Sequence, residues 1–263
     1  SHFEDYPKKL YEEGSIKTSK GYTTTANHLK DYLKKKDDCS LFSDITPEFL
    51  DALEKHFLSS KMKLSYSSIG VYMRNIRTIF NQAISKKIIS SELYPFGKGK
   101  YVPPSSKKAK KALPLEVIEK IYNYKPDSPE EARAKDMWLF AYFANGLNVK
   151  DIAFLKYENI KGDVLSFIRA KTEHSTKDNI KTIEVIITED IQRIINKWGR
   201  KPQRSKSFIF DILHPNDLSA LQIYRDINQA VRTTNEYMKR IAEDLKLERV
   251  PTTNFERHSF STI

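Results

Sequence analysis

Residues 146–155 read Gly-Leu-Asn-Val-Lys-Asp-Ile-Ala-Phe-Leu, and the elements around this stretch define the second half of the chain. Before it, residues 128–131 read Ser-Pro-Glu-Glu, which combines a serine N-cap, a proline at the first helical position and an acid that completes a capping box. The helix that starts there is predicted to reach Asn145, where Gly146 ends it. A second, short helix is predicted within the quoted stretch.

Two alternating segments after this stretch predict an antiparallel hairpin. Val164–Arg169 and Lys181–Ile187 alternate apolar and polar residues, as strands with one buried face do. Residues 170–179 between them are polar and form the predicted tip. Helical sequence then continues to a final segment, Thr252–Ile263.

The first half of the chain predicts helices alone. Apolar residues recur at helical spacing in three segments, Thr23–Lys36, Ile45–Leu58 and Ser67–Ile89. A helical unit of about ninety residues can bury a modest core. The predicted fold is therefore mainly α with a small antiparallel β-sheet, divided into a helical domain and a mixed α/β domain.

Basic residues concentrate between these two halves. The chain has a net charge of +11, and residues 97–112 carry six lysines and no acid. Glycines, Pro-Pro and Ser-Ser argue against regular structure there. We therefore predict a helical domain over residues 1–96, a basic linker over 97–112 and a mixed domain over 113–263. The linker is either a solvated tether or a strap along a polyanion; the excess of lysine favours the strap.

Several classes of protein are excluded or disfavoured by composition. The longest apolar run, Met137–Ala144, has eight residues, whereas a membrane span needs about twenty. The chain has one cysteine, Cys39, and its six histidines lack metal-ligand spacing. Phosphate-binding glycine loops, HExxH and Gly-X-Ser-X-Gly motifs do not occur. We predict a cytoplasmic protein with no metal, no cofactor, no small-molecule substrate and no membrane partner.

The order of the motifs resembles a known family. Gly-Leu-X-X-X-Asp at residues 146–151, Arg-X-Lys-Thr at 169–172 and Arg-His-Ser-Phe-X-Thr at 257–262 resemble the catalytic domain of tyrosine recombinases, the phage integrase family. The helical domain, with Tyr72–Arg77 and Phe80–Ala83, is similar to the SAM-like core-DNA-binding domain of integrases from conjugative transposons and prophages. The resemblance covers essentially the whole chain, without the N-terminal arm-binding domain and the C-terminal tail of such integrases.

This resemblance implies a site-specific DNA recombinase that cleaves and rejoins double-stranded DNA through a 3′-phosphotyrosyl intermediate, as a tetramer and without metal or ATP. Arg257 is expected to hold the non-bridging phosphate oxygens, because its planar charged fork suits phosphate. Lys171 is expected to protonate the departing 5′-oxygen. For His258 two roles stay open, that of a proton carrier and that of a packing and hydrogen-bonding residue.

The sequence also departs from the family pattern. Asn148 stands where the family usually has its first arginine, although the acid three residues later, Asp151, is retained. Lys150 and Arg169 are the candidate substitutes for the missing charge. Asn254 stands where a catalytic histidine or lysine is usual.

The nucleophile of the family is a tyrosine that follows the Arg-His motif by some tens of residues. The chain has fourteen tyrosines, none of them after Arg257. We therefore expect the nucleophile to lie after Ile263, so that residues 1–263 alone would bind DNA without cleaving it. The alternative is a catalytically inactive integrase-like DNA-binding protein that occupies attachment sites.

Overall fold

A computed structural model of the chain describes residues 2–34, 42–59, 61–105, 112–169 and 182–260. The chain forms two compact units, Ser1–Lys108 and Ala109–Ile263. Both are predominantly helical, and the second contains a three-stranded antiparallel sheet. The predicted fold class is confirmed. No helix in the described part of the chain is long and apolar enough to cross a membrane.

The described residues of the first unit form four α-helices and two short 3₁₀ turns. Serine or threonine caps the third and fourth helices: the hydroxyl oxygen of Thr46 accepts a hydrogen bond from the backbone N–H of Phe49 (3.2 Å), and that of Ser65 accepts one from Ser68 (3.2 Å). The helices are α1 (His2–Glu12), α2 (Ile16–Lys34), α3 (Pro47–Leu58) and α4 (Tyr66–Ser85), with 3₁₀ turns at Phe42–Asp44 and Ser91–Leu93.

The core of this unit contains the residues that the helical spacing of α3 and α4 indicates. Leu50, Leu53, Ile69 and Met73 are fully buried. The predicted helical segment Ser67–Ile89 is too long at its C-terminal end. Helix α4 stops at Ser85, and Ile88 is 50% exposed. Helix α1 was not predicted at all.

The first unit extends into the predicted linker. Tyr101 is buried, its backbone N–H donates to the carbonyl of Pro95 (3.1 Å), and its hydroxyl donates to the carboxylate of Glu54. The packed structure therefore continues at least to Tyr101, five residues past the predicted domain end. The lysines of the linker at positions 107, 108, 110 and 111 lie outside the described residues.

In the second unit, one face of a small antiparallel sheet packs into a core formed largely by helices. Strands β2 (Val164–Ile168) and β3 (Thr182–Ile186) pair in an antiparallel register that sets Leu165 opposite Val185, and both side chains are buried. This confirms the predicted hairpin strands, to which the structure adds the short β1. The elements are α5 (Leu115–Asn123), α6 (Pro129–Phe143), α7 (Val149–Phe154), a 3₁₀ turn (Tyr157–Asn159), β1 (Ile160–Lys161), β2 (Val164–Ile168), β3 (Thr182–Ile186), α8 (Glu189–Trp198), α9 (Ala220–Asp244) and α10 (Phe255–Phe260).

A buried carboxylate holds α8 against α6. Asp136, 2% exposed, accepts hydrogen bonds from Trp198 Nε1 (2.7 Å) and Lys197 Nζ (3.0 Å) and pairs with Arg193 (3.3 Å). Burial alone raises the pKa of this carboxyl, but the hydrogen bonds from Trp198 and Lys197 and the two positive charges outweigh it, so the pKa lies below its usual value.

We expect Asp136→Asn to lower the free energy of unfolding by about 1–3 kcal/mol, because the variant loses the charge that two cations and an indole N–H share. Since the folded-state pKa is depressed, this contribution is present above about pH 4 and is lost as the pH falls through the folded-state pKa. Urea unfolding at several pH values measures it. Glu189→Gln, at an exposed position of α8, is the control and should change stability by less than about 0.5 kcal/mol. Equal losses in the two variants would contradict this role of Asp136.

Candidate functional site

The Gly-Leu-X-X-X-Asp and Arg-His motifs meet in the second unit at Gly146. This glycine has a φ of +70°, and a Cβ added to it would lie 2.7 Å from the Cα of Arg257. The left-handed backbone lets the chain turn after α6, and the missing side chain lets it reach the backbone of α10. The motif at residues 146–151 and the described part of the Arg-His motif, residues 257–260, are therefore neighbours in space.

Asn148 is used as a helix cap. Its side-chain oxygen accepts a hydrogen bond from the backbone N–H of Asp151 (2.9 Å), and its Nδ2 donates to the Asp151 carboxylate (2.6 Å). Asparagine is among the best N-cap residues, which explains why α7 begins directly after it. The amide at the family's first arginine position thus orders the start of α7.

Asp151 connects this helix to the end of strand β2. Its carboxylate is 2% exposed and lies 3.5 Å from Nε of Arg169, whose side chain is 24% exposed. A buried carboxylate in contact with a guanidinium fixes the orientation of that group more firmly than a surface pair does. Arg169 therefore combines an ordered stem with partial access to solvent.

Of the two candidate substitutes for the missing charge, the structure distinguishes Arg169 from Lys150. Lys150 lies on α7 with an exposed side chain, whereas Arg169 pairs with the buried Asp151. Arg169 is the residue that Asp151 holds.

Helix α10 is fixed at both ends. Before it, the backbone N–H of Thr253 donates to the side-chain oxygen of Asn235 (2.8 Å). Within it, the fully buried hydroxyl of Ser259 donates to the carbonyl of Phe255 (2.7 Å) and accepts from the backbone N–H of Leu113 (2.9 Å). These bonds explain the place of serine in the Arg-His-Ser motif: it anchors the helix that carries Arg257.

The predicted site residues differ in where the structure places them. Arg257 is half-buried beside Gly146, and His258 is exposed on the same helix. Asn254 is exposed just before α10. Lys171 lies outside the described residues. The structure thus places Arg257 beside Gly146, the first residue of the Gly-Leu-X-X-X-Asp motif.

Sequence reasoning missed one ionisable group of this region, Glu256. It is 1% exposed, its Oε2 accepts no hydrogen bond from any described residue, and burial raises its pKa to about 8. The sequence carried no signal for it, because a glutamate in the first turn of a helix is ordinarily a solvated partner of the helix dipole.

Two arginines flank the segment of residues 146–151. The backbone and side-chain stem of Arg257 on α10 lie against Gly146, and Arg169 at the end of β2 pairs with Asp151. Two planar, permanently charged donors are what the recognition of a phosphate requires.

Comparison with known proteins identifies the fold. Residues 1–101 match the family model described as the phage integrase SAM-like domain. Among solved structures, a lambda integrase dimer bound to a COC′ core site is similar over 99% of this chain and 87% of its own, with 16% identity and a TM-score of 0.61. The Tn1549 transposon integrase in complex with transposon right end DNA is similar over 100% and 85%, with 15% identity and a TM-score of 0.62.

A lambda integrase tetramer bound to a Holliday junction also matches, with 17% identity and a TM-score of 0.59 over 99% of this chain and 68% of its own. Curated proteins give no match. Residues 1–101 therefore match a phage integrase SAM-like domain, and the chain has, over its whole length, the fold of the lambda and Tn1549 integrases. The resemblance predicted from the motifs is confirmed.

Proposed function

We propose that the chain is the core-binding and catalytic part of a site-specific DNA recombinase that integrates a mobile element. The observation that carries the proposal is the contact between Gly146 and Arg257, because it brings together two motifs that are distant in sequence. The DNA complexes of the lambda and Tn1549 integrases, which share this fold, support double-stranded DNA as the partner. The lambda tetramer on a Holliday junction supports self-assembly on DNA.

The proposed chemistry is a phosphoryl transfer to a tyrosine. The tyrosine oxygen attacks the scissile phosphorus, the new P–O bond forms the 3′-phosphotyrosyl link, and the bond to the 5′-oxygen breaks. Arg257 and Arg169 stabilise the negative charge that grows on the non-bridging oxygens. Lys171 gives its proton to the departing 5′-oxygen, a role that rests on its match to the family motif. In the second transfer a partner strand's 5′-hydroxyl attacks the same phosphorus and releases the tyrosine.

His258 is proposed to face the DNA. Its side chain is exposed on α10, next to Arg257 in sequence, and exposure argues against the packing role that the sequence left open. An exposed imidazole beside a bound phosphate can donate a hydrogen bond or carry a proton.

The rival function is a DNA-binding protein without catalysis. One observation favours it: the side chain at the family's first arginine position is a neutral amide that is engaged with Asp151. The rival predicts tight duplex binding and no covalent product.

Trapping of the covalent intermediate separates the two. The protein is expressed from its whole reading frame and incubated with a nicked duplex that carries the end of its element, so that the short 5′-fragment diffuses away after cleavage. We expect a covalent protein–DNA band on a denaturing gel that disappears with Arg257→Ala. Tight duplex binding without any band under the same conditions would overturn the proposal of a recombinase and favour a DNA-binding protein without catalysis.

The basic linker gives a second prediction. If it follows the DNA backbone, replacing the lysines at positions 107, 108, 110 and 111 with alanine should weaken duplex binding and lower the slope of log K against log salt by up to about four. Binding titrations at several salt concentrations measure the slope.

A matched variant controls for net charge. Changing four exposed lysines of the second unit to alanine removes the same charge and should leave the slope of log K against log salt nearly unchanged. These lysines are Lys120, Lys125, Lys239 and Lys246. The same change in slope for both variants would mean that the linker acts as a tether and that only net charge matters.

A further inference from the structure

Gly70 lies inside helix α4, although its backbone conformation does not require a glycine. The residue is buried, and its φ is not among the positive values of the chain. Glycine is a poor residue for a helix interior compared with alanine, because it loses more conformational entropy on folding. The reason for a glycine therefore lies in the space beside the helix.

That space is occupied by the backbone of Pro104. A Cβ added to Gly70 would lie 2.2 Å from the carbonyl oxygen of Pro104 and 3.0 Å from a guanidinium nitrogen of Arg74. The long side chain of Arg74 can move away from an added carbon, whereas the carbonyl can move only with the backbone that carries it. Gly70 is thus what allows Pro104 to lie against α4.

The chain that leads to Pro104 is already held on the first unit. Tyr101 is buried, and its backbone N–H donates to the carbonyl of Pro95 (3.1 Å). Pro103 and Pro104 follow, and their rings fix φ at both positions. The first part of the predicted linker, residues 97–104, therefore belongs to the first unit and ends in a stiff segment at the Gly70–Pro104 contact.

The next buried residue that the structure describes is Leu113, in the second unit. Its side chain is 6% exposed, and its backbone N–H donates to Oγ of Ser259 (2.9 Å). From the Cα of Pro104 to that of Leu113 the chain can reach at most about 32 Å, whereas from the Cα of Tyr101 it could reach about 43 Å. The Gly70–Pro104 contact thus shortens the free connection between the two units.

We propose that Gly70 is a positioning residue for DNA binding by the two units together, because the Gly70–Pro104 contact fixes the point and the direction in which the chain leaves the first unit. The inference rests on the proposed function, since both units must bind one duplex. A shorter connection raises the effective concentration of the second unit once the first is bound. A fixed direction lowers the cost of ordering the connection on binding.

Gly70→Ala removes the contact and leaves the core side chains of α4 unchanged. We expect it to weaken binding to a duplex that carries the end of the element by about threefold to tenfold. The melting temperature of the first unit should not fall, because alanine is the better helix former. Binding titrations and thermal unfolding measure the two quantities.

Gly21→Ala is the matched control. It makes the same change inside α2, where the added Cβ meets nothing within 4 Å. We expect duplex binding to change by less than about 1.5-fold, because alanine fits there without displacing any backbone. Equal weakening in the two variants would overturn the proposal.

An insertion separates a role in the connection from a role in the packing of the first unit. Six residues of alternating glycine and serine, inserted directly after Ser105, lengthen the connection beyond the Gly70–Pro104 contact. In that protein Gly70→Ala should weaken duplex binding by less than about 1.5-fold, because the second unit no longer senses where Pro104 lies. The same factor with and without the insertion would assign Gly70 a purely local role and overturn the proposal.

A distance measurement without DNA tests the contact itself. Spin labels are attached at Ser85→Cys and Ser105→Cys, two exposed positions of the first unit, in a protein with Cys39→Ser. We expect a narrow distribution of distances between the labels, which Gly70→Ala should broaden. The same distribution in both proteins would overturn the proposal.

The binding data distinguish this inference from the proposed function. An unsubstituted protein that does not bind the duplex would contradict DNA as the partner and this inference with it. An unsubstituted protein that binds the duplex, with equal binding by Gly70→Ala, would contradict the role of Gly70 alone.

Discussion

Gly146→Ala should lower the free energy of unfolding of the second unit by about 2–5 kcal/mol. Alanine in the left-handed region costs about 1–2 kcal/mol, and the added Cβ would lie 2.7 Å from the Cα of Arg257, so the backbone of α10 must move. Forcing an extra carbon into a packed contact costs a further 1–3 kcal/mol, roughly. Urea unfolding followed by circular dichroism measures the loss.

Gly162→Ala is the matched control for this prediction. Gly162 has a φ of +63° and nothing within 4 Å of the added Cβ, so it carries the backbone strain without the collision. We expect it to cost about 1–2 kcal/mol. The difference between the two variants isolates the contact with Arg257, and equal losses would show that α10 does not approach Gly146.

Asp151→Asn should reduce covalent trapping of DNA by about tenfold to a hundredfold, because a misplaced charge near the scissile phosphate loses much of its effect. The variant keeps the shape of the side chain but loses the charge that holds Arg169 and accepts from Asn148. We also expect a loss of about 1–3 kcal/mol in the free energy of unfolding, so trapping is measured at a temperature at which the variant is fully folded.

Two comparisons show whether Asp151 acts through Arg169. Lys150→Ala, on the same helix, should leave trapping unchanged. In a double-mutant cycle, Asp151→Asn should add little to the effect of Arg169→Ala, because the two residues act as one unit. Independent effects that multiply, or normal trapping by Asp151→Asn, would contradict the role of Asp151 as a positioning residue.

Local sequence patterns predicted much of the fold. The alternation in Val164–Ile168 and Thr182–Ile186 is a strand signal that needs no tertiary information, and the caps at Thr46 and Ser128 set the starts of α3 and α6. Helix α1 was missed because its sequence includes Pro7, a residue that ordinarily argues against a helix.

The parts of the site that escaped prediction depend on tertiary contacts. Asp151 was recognised as a retained acid, but its pairing with Arg169 depends on where strand β2 ends relative to α7. The burial of Glu256 depends on how α10 packs, and the burial of Tyr101 on its partner Glu54. No periodicity in the sequence encodes such pairings between distant segments.

We propose that Arg169 supplies the positive charge that the family's first arginine usually brings to the scissile phosphate. The most direct measurement uses Arg169→Ala in the protein from the whole reading frame, with nicked duplexes that carry either a phosphate or an uncharged methylphosphonate at the scissile position. We expect trapping on the phosphate to fall by about 10²–10³-fold, and trapping on the methylphosphonate to approach that of the unsubstituted protein, because the charge that Arg169 balances is gone. Normal trapping on the phosphate, or an equal loss on both duplexes, would contradict the claim.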